Sequence, residues 1–187
     1  MEISGYLELA KKTLLSPTEA FKKYKLEVGE SLMYYTILLV INSILAALFF
    51  PKILMMIMPL KYSLGLLIMA RIITGIIGIL VGSAWLHLFV MLFGGKGYAK
   101  TLRANIISTT PMLLLGWIPY LGIITWVWSF ILLVIGLSVV HKFSTGRSFI
   151  VLLISGLIPL IIVVVLALLA FSSVSEMISV LSSYSGT

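Results

Sequence analysis

Cysteine and aspartate are both absent from this chain. Without cysteine there is no disulfide framework and no thiolate chemistry. Carboxylates are scarce as well as few in kind. Glu2, Glu8, Glu19, Glu27 and Glu30 precede the first long apolar run, and Glu176 follows the last. The 145 residues between Glu30 and Glu176 therefore contain no acid at all. That gap removes the paired acid and base of hydrolytic chemistry, any carboxylate-coupled proton relay, and most metal-ligand sets. No enzymatic reaction and no cofactor is expected. Charge of either sign is sparse: 10% of the 187 residues are charged, against about 25% in soluble domains.

Apolar residues fill the place of charge, at 61% of the chain. Long apolar runs read as membrane-spanning helices when they reach about 20 residues. The chain is predicted to be all-α: a polytopic transmembrane helix bundle of about five spans, with amphipathic interfacial helices at the N-terminus. The predicted spans cover about 31–50, 64–93, 101–116, 121–140 and 148–171. Residues 1–30 are expected at the cytoplasmic interface, 31–171 form the transmembrane domain, and 172–187 form a short non-cytoplasmic tail.

In the N-terminal segment, Ile3, Tyr6, Leu7, Ala10 and Leu14 recur at helical spacing, with Glu8, Lys11 and Lys12 opposite. Such a helix is too charged to span and lies in the interface. Ser16-Pro17-Thr18-Glu19 reads as a capped start for a second helix, with Ser16 as cap and Glu19 completing a capping box. Gly29 is expected to separate it from the first span. Pro51 ends that span, and the apolar stretch Ile53 to Met58 is expected to dip into the interface. The third span is the most polar. It carries Arg103, Asn105, Ser108, Thr109 and Thr110 and is interrupted by Pro111.

The formal net charge is +7. No basic face separate from the membrane exists to carry nucleic acid. The lysines and arginines instead gather in loops that five spans place on one side. Lys11, Lys12, Lys22, Lys23, Lys25, Lys96, Lys100, Arg103, Lys142 and Arg147 face Lys52 and Lys61, ten against two. By the positive-inside rule the N-terminus is cytoplasmic and the C-terminus extracytoplasmic, in a prokaryotic plasma membrane.

Three sets of candidate residues follow. Lys96, Lys100, Arg103, His87, His141 and Arg147 form a cytoplasmic face for a protein partner or anionic lipid. Arg71, Asn105, Thr109 and Pro111 form an intramembrane polar site, because polar or broken helix is tolerated in a bilayer only where it is buried or faces a wet cavity. Ala70, Thr74, Gly78 and Gly82 repeat every fourth residue, a stripe that lets another helix approach, within the chain or in a homo-oligomer. Asn42, in mid-span, is expected to form an interhelical hydrogen bond. His87 and His141 alone are too few to hold a metal.

Three ordered stretches are similar to one known family. They are Leu14-Leu15-Ser16-Pro17 followed by Phe21; Leu86-His87-Leu88 through Phe93-Gly94-Gly95-Lys96-Gly97 to Thr101-Leu102-Arg103-Ala104 and Pro111; and Trp126 and Trp128-Ser129 through Gly136-Leu137 to His141 and Arg147. The chain resembles the Yip (Ypt/Rab-interacting protein) membrane-domain family, in its short prokaryotic form. The resemblance implies five spans, a cytoplasmic N-terminus and a short exposed C-terminus. Eukaryotic relatives are associated with small Rab-type GTPases and vesicle traffic and carry longer N-terminal regions. Two functions stand side by side. The first is a non-enzymatic scaffold or adaptor working at the cytoplasmic face. The alternative is a small transporter, channel or lipid-moving protein using the Pro-broken third helix.

Overall fold

A computed structural model describes the backbone of residues 2–49 and 64–185, with side chains from Gly65 through Met177 in the second stretch. The expected loop from Pro51 to Ser63, including Ile53 to Met58, lies outside the described residues. Every regular element among the described residues is helical: α1 (Ile3–Leu15), α2 (Pro17–Lys23), α3 (Val28–Phe49), α4 (Leu64–Leu92), α5 (Tyr98–Ser108), α6 (Thr110–Leu115), α7 (Leu121–His141) and α8 (Thr145–Ser185). Four stretches are long and apolar enough to cross a membrane: Val28–Phe49, Gly65–Leu92, Leu121–His141 and Thr145–Met177.

The chain divides into two units, Met1–Val151 and Leu152–Thr187. In the first, α5 is the central element. It packs on α3, α4 and α7, and α6 packs on α3 and α7. Thr101, Leu102, Ala104, Ile106, Ile107 and Ser108 of α5 are all buried. This short polar stretch is thus shielded from lipid by its neighbours, the condition under which hydrocarbon tolerates it. Pro111 takes the start of α6, and Thr109 joins the two helices with helical torsions of φ −76° and ψ −5°. The interruption expected at Pro111 is a break between two short helices, 11 and 6 residues long.

The N-terminal segment docks onto this unit. In α1, Tyr6, Leu9, Ala10 and Thr13 face inward, while Ile3, Leu7 and Leu15 are exposed. The apolar residues that share one side by spacing therefore divide between protein and surroundings. Tyr6 packs against Tyr34 of α3 with ring centroids 5.8 Å apart. Glu8 links α1 to α2 through Lys23 at 3.0 Å and also pairs with Lys12 at 3.5 Å. Pro17 opens α2 as expected, but Ser16 caps through its carbonyl, which accepts from Glu19 and Ala20, and its hydroxyl makes no capping bond. Gly29 does not break the chain: α3 begins at Val28 and runs through it. The Glu27 amide donates to the Glu30 carboxylate (3.3 Å), which settles the helix start one turn earlier than expected.

The second unit consists of α8 from Leu152 onward. The helix starts at Thr145 and continues past the expected end at Phe171 to Ser185, with Pro159 inside it. Serine in a helix interior can turn its hydroxyl back to a carbonyl of the preceding turn. Ser172, Ser173 and Ser175 each donate back to a carbonyl three or four residues earlier.

Candidate functional site

One end of the first unit collects cations from three helices and a turn. Its construction starts with glycine. In Gly94-Gly95-Lys96-Gly97, Gly94 (φ +84°) and Gly97 (φ +88°) take left-handed torsions that glycine adopts without strain. Gly95 has φ of ordinary sign but no room: a Cβ there would lie 2.4 Å from Val90 Cγ1 and 3.0 Å from the Val90 carbonyl oxygen. The turn closes α4 tightly and delivers Lys96 and Lys100 to the surface.

A second close approach seats α2. The Phe21 ring lies 2.8 Å from the point where a Cβ on Gly136 would stand. Phe21 is 1% exposed, and Ala104 of α5 approaches the same point to 3.4 Å. Only glycine at 136 lets the ring reach this depth, and the ring fixes α2 with Lys22 and Lys25 at the rim.

Between these elements lies a cavity of about 550 Å³ bordered by Lys22, Lys25, Lys100, Arg103 and Lys142. A neighbouring cavity of about 260 Å³, lined by the glycine turn, Lys96 and His141, shares Lys100, Val140 and Lys142 with it. The two form one groove with six cationic side chains and no carboxylate in its walls. The ion pairs of Glu8 with Lys12 and Lys23 involve none of the six. Arg103 Nε is buried and has no hydrogen-bond partner among the described residues, and neither has His141 Nδ1. A buried donor without an acceptor is costly, and Arg103 Nε is such a donor at the wall of the groove.

Of the residues singled out by sequence, Lys96, Lys100, Arg103 and His141 line this groove. Arg147 stands over the Phe143 ring, 5.0 Å from its centroid, with a guanidinium nitrogen 3.8 Å from where a Gly94 Cβ would lie. His87 is buried beneath the surface. Its Nδ1 lies 2.8 Å from Thr101 Oγ1, which lies 2.9 Å from His141 Nε2. One hydroxyl offers a single proton, so at most one ring accepts from it and at least one ring donates its N–H. Among the described residues no set of three or more metal-type ligands gathers here or elsewhere. Lys22, Lys25 and Lys142 also line it, and in the sequence they speak only to topology. Their flanking of Phe21 and His141 was the signal that could have placed them in the groove.

The intramembrane set does not form one site. Arg71 Nη2 donates to Asn42 Oδ1 at 2.6 Å, and Asn42 Nδ2 donates to the Leu113 carbonyl at 2.7 Å. Asn105 donates instead to Ser83, also on α4 but about 18 Å further along that helix at about 1.5 Å per residue. Thr109 is bonded to the Ile106 carbonyl, and Thr110 to the Ile107 carbonyl and Tyr34. The third stretch thus spends some of its polar groups on α3 and α4, through Thr110 and Asn105, and the rest on carbonyls of its own preceding turn. The small-residue stripe faces outward. Ala70, Thr74, Gly78 and Gly82 are exposed, and nothing stands within 4 Å of a Cβ at Gly78 or Gly82. Gly75, on the adjoining face, is the close contact, with a Cβ there 2.6 Å from a Leu39 methyl.

No curated protein and no solved structure matches the chain. A family model described as the Yip1 domain matches residues 11–180. That match takes in the end of α1, all of α2, the glycine turn and the basic groove, and with the apolar helices it shows that this integral membrane protein belongs to the Yip1 domain family.

Proposed function

We propose that the protein is a non-enzymatic membrane scaffold or adaptor whose basic groove, at its cytoplasmic end, engages anionic ligands. These are the phosphate headgroups of membrane lipid and the acidic surface of a protein partner. The observation that carries this reading is the groove itself: six cations from α2 and the segment after it, α5, the glycine turn and the end of α7, with no carboxylate and with Arg103 Nε lacking an acceptor among the described residues. Like charges this close repel, and an anion relieves them at low local dielectric.

The orientation follows from treating α5 and α6 as a fifth crossing. From Tyr98 to Leu115 the helical backbone rises about 27 Å at about 1.5 Å per residue, close to the hydrocarbon core of about 30 Å. Five crossings put the N-terminus and the groove in the cytoplasm and the C-terminus outside, as the positive-inside rule favours, in a plasma membrane. The exposed Ile3, Leu7 and Leu15 of α1 then lie in the headgroup boundary, where an amphipathic helix rests. The transporter reading draws less support, because Asn105, Thr109 and Thr110 are already bonded, to Ser83 of α4 or to carbonyls one turn back.

The test is photo-crosslinking in native membranes from probes replacing Lys96 and Lys25. A discrete protein or anionic-lipid adduct is expected, lost when Lys100→Glu and Lys142→Glu are combined and weakened by salt. Adducts to the chain itself alone, or adducts indifferent to charge reversal, would refute the reading.

A further inference from the structure

The opposite half of α4 holds a cation with a different problem. Arg71 lies seven residues into α4, about 10 Å along the helix from Leu64 at about 1.5 Å per residue, and far from the glycine turn that ends it. The sequence has no acid between Glu30 and Glu176, so none of the helices around Arg71 can supply a counter-charge. The side chain is nevertheless held in place. Its Nη2 donates to Asn42, and Asn42 is itself tied to the Leu113 carbonyl, so three helical segments fix the direction of the guanidinium. One nitrogen is used in this way. The others have no partner among the described residues.

The guanidinium borders a cleft of about 330 Å³ between α3 and α4. That volume is at the lower end of the range of about 300–1,000 Å³ for small-molecule sites. Its walls are apolar: Ala46 and Ala47 on one side, Leu67, Ile68 and Ala70 on the other. The hydroxyls of Ser43 and Thr74 at its edge are turned away to carbonyls of their own helices. The cleft therefore offers one fixed positive charge and a hydrocarbon surface. An amphiphile with an anionic head meets both requirements, whereas a small hydrophilic ion meets only the first. Arginine favours phosphate because its planar fork donates two parallel hydrogen bonds. Its stem also allows the head to rise toward the headgroup level.

We propose that this cleft binds a phospholipid of the leaflet opposite the basic groove, with Arg71 holding the phosphate and the α3–α4 walls holding the start of an acyl chain. Asn42 is a positioning residue, since it orients the guanidinium and does not face the cleft.

The experiment uses the full chain in vesicles of phosphatidylglycerol containing a small share of the same lipid with a diazirine on one acyl chain. After photolysis, labelled peptides are mapped. The label on Ser43 to Ala47 and Leu67 to Thr74 is compared with that on Leu160 to Leu166, an exposed apolar stretch of α8. Enrichment in the cleft peptides is expected. Arg71→Gln should lower it about tenfold, the effect of losing charge-assisted hydrogen bonds, and Arg71→Lys should restore part of it. Ala70→Phe, which keeps the guanidinium and fills the cleft, should lower it as well. Each variant is first shown to elute as the wild type does in detergent. Cleft labelling no greater than that of α8, or undiminished in both Arg71→Gln and Ala70→Phe, overturns the proposal. Displacement of the label by excess inorganic phosphate overturns the lipid assignment in favour of a free anion. Labels on peptides carrying Lys100 report the basic groove separately, so the two sites succeed or fail independently.

Discussion

Asn42 is the residue whose removal should be felt most widely for its size. Its amide spends both ends: Nδ2 donates to the Leu113 carbonyl and Oδ1 accepts from Arg71. Leu113 lies in the last turn of α6, where carbonyls run out of helical donors, so the amide supplies one that the backbone lacks. Asn42→Leu keeps the volume and deletes both bonds. Hydrogen bonds between membrane helices are worth about 0.6 kcal/mol on average and about 1.7 kcal/mol at most. Two of them on a side chain 2% exposed give an expected loss of about 1–3 kcal/mol. Equilibrium unfolding in mixed micelles, driven by the mole fraction of dodecyl sulfate and followed by circular dichroism, measures it. A double-mutant cycle with Arg71→Leu isolates the shared bond, with an expected coupling of about 0.6–1.7 kcal/mol. If the two substitutions add to within about 0.3 kcal/mol, or if Asn42→Leu leaves stability unchanged, the amide is not the bridge described here.

Two other outcomes follow from contacts at the basic end. Thr101→Val removes the hydroxyl between His87 and His141 and strands two ring nitrogens, so stability should fall by about 1–3 kcal/mol in the same assay, with Thr101→Ser restoring most of it. The Glu8 carboxyl is held below its ordinary range, chiefly by its hydrogen bond from Lys23. The contribution of this pair to docking α1 on α2 is therefore full above the ordinary carboxylate pKa and lost as pH falls through the lower folded value. Amide hydrogen exchange in α1 should rise over that acid window, and Glu8→Gln should abolish the pH dependence.

Long apolar runs were legible because spans announce themselves by length and composition alone. Leu64 to Leu92 and Leu121 to His141 fall within a residue of their expected ends. Which face of such a helix turns inward was not legible. In a soluble helix the polar side marks the outside, but lipid and protein interior are equally apolar. Hence the Ala70-Thr74-Gly78-Gly82 repeat was visible while the packed face, through Gly75, Ile79 and Ser83, was not. Asn42 could be expected to find an interhelical partner, and it does. That the partners are Arg71 and the Leu113 carbonyl depends on how three helices meet, which no local spacing encodes. The groove is a similar case. Its lysines could be counted in the sequence, but Lys22 and Lys142 become neighbours only because Gly136 admits Phe21.

The hydroxyls of Ser43, Thr74, Ser108, Thr125, Ser138 and Ser155 all donate to carbonyls one turn back in their own helices. A span so furnished leaves the translocon with these groups already satisfied and needs no neighbour in order to reside in the bilayer. Among the described residues the demand for partners then rests on side chains such as Tyr34, Tyr35, Asn42, Arg71, His87, Tyr98, Asn105 and His141, whose bonds reach another helix. Biosynthesis can accordingly proceed in two steps: insertion of helices one at a time, then sorting of the correct neighbours by those few residues. A newly made chain is open to quality control between the two steps, when its unmatched amides and imidazole still lie within the hydrocarbon.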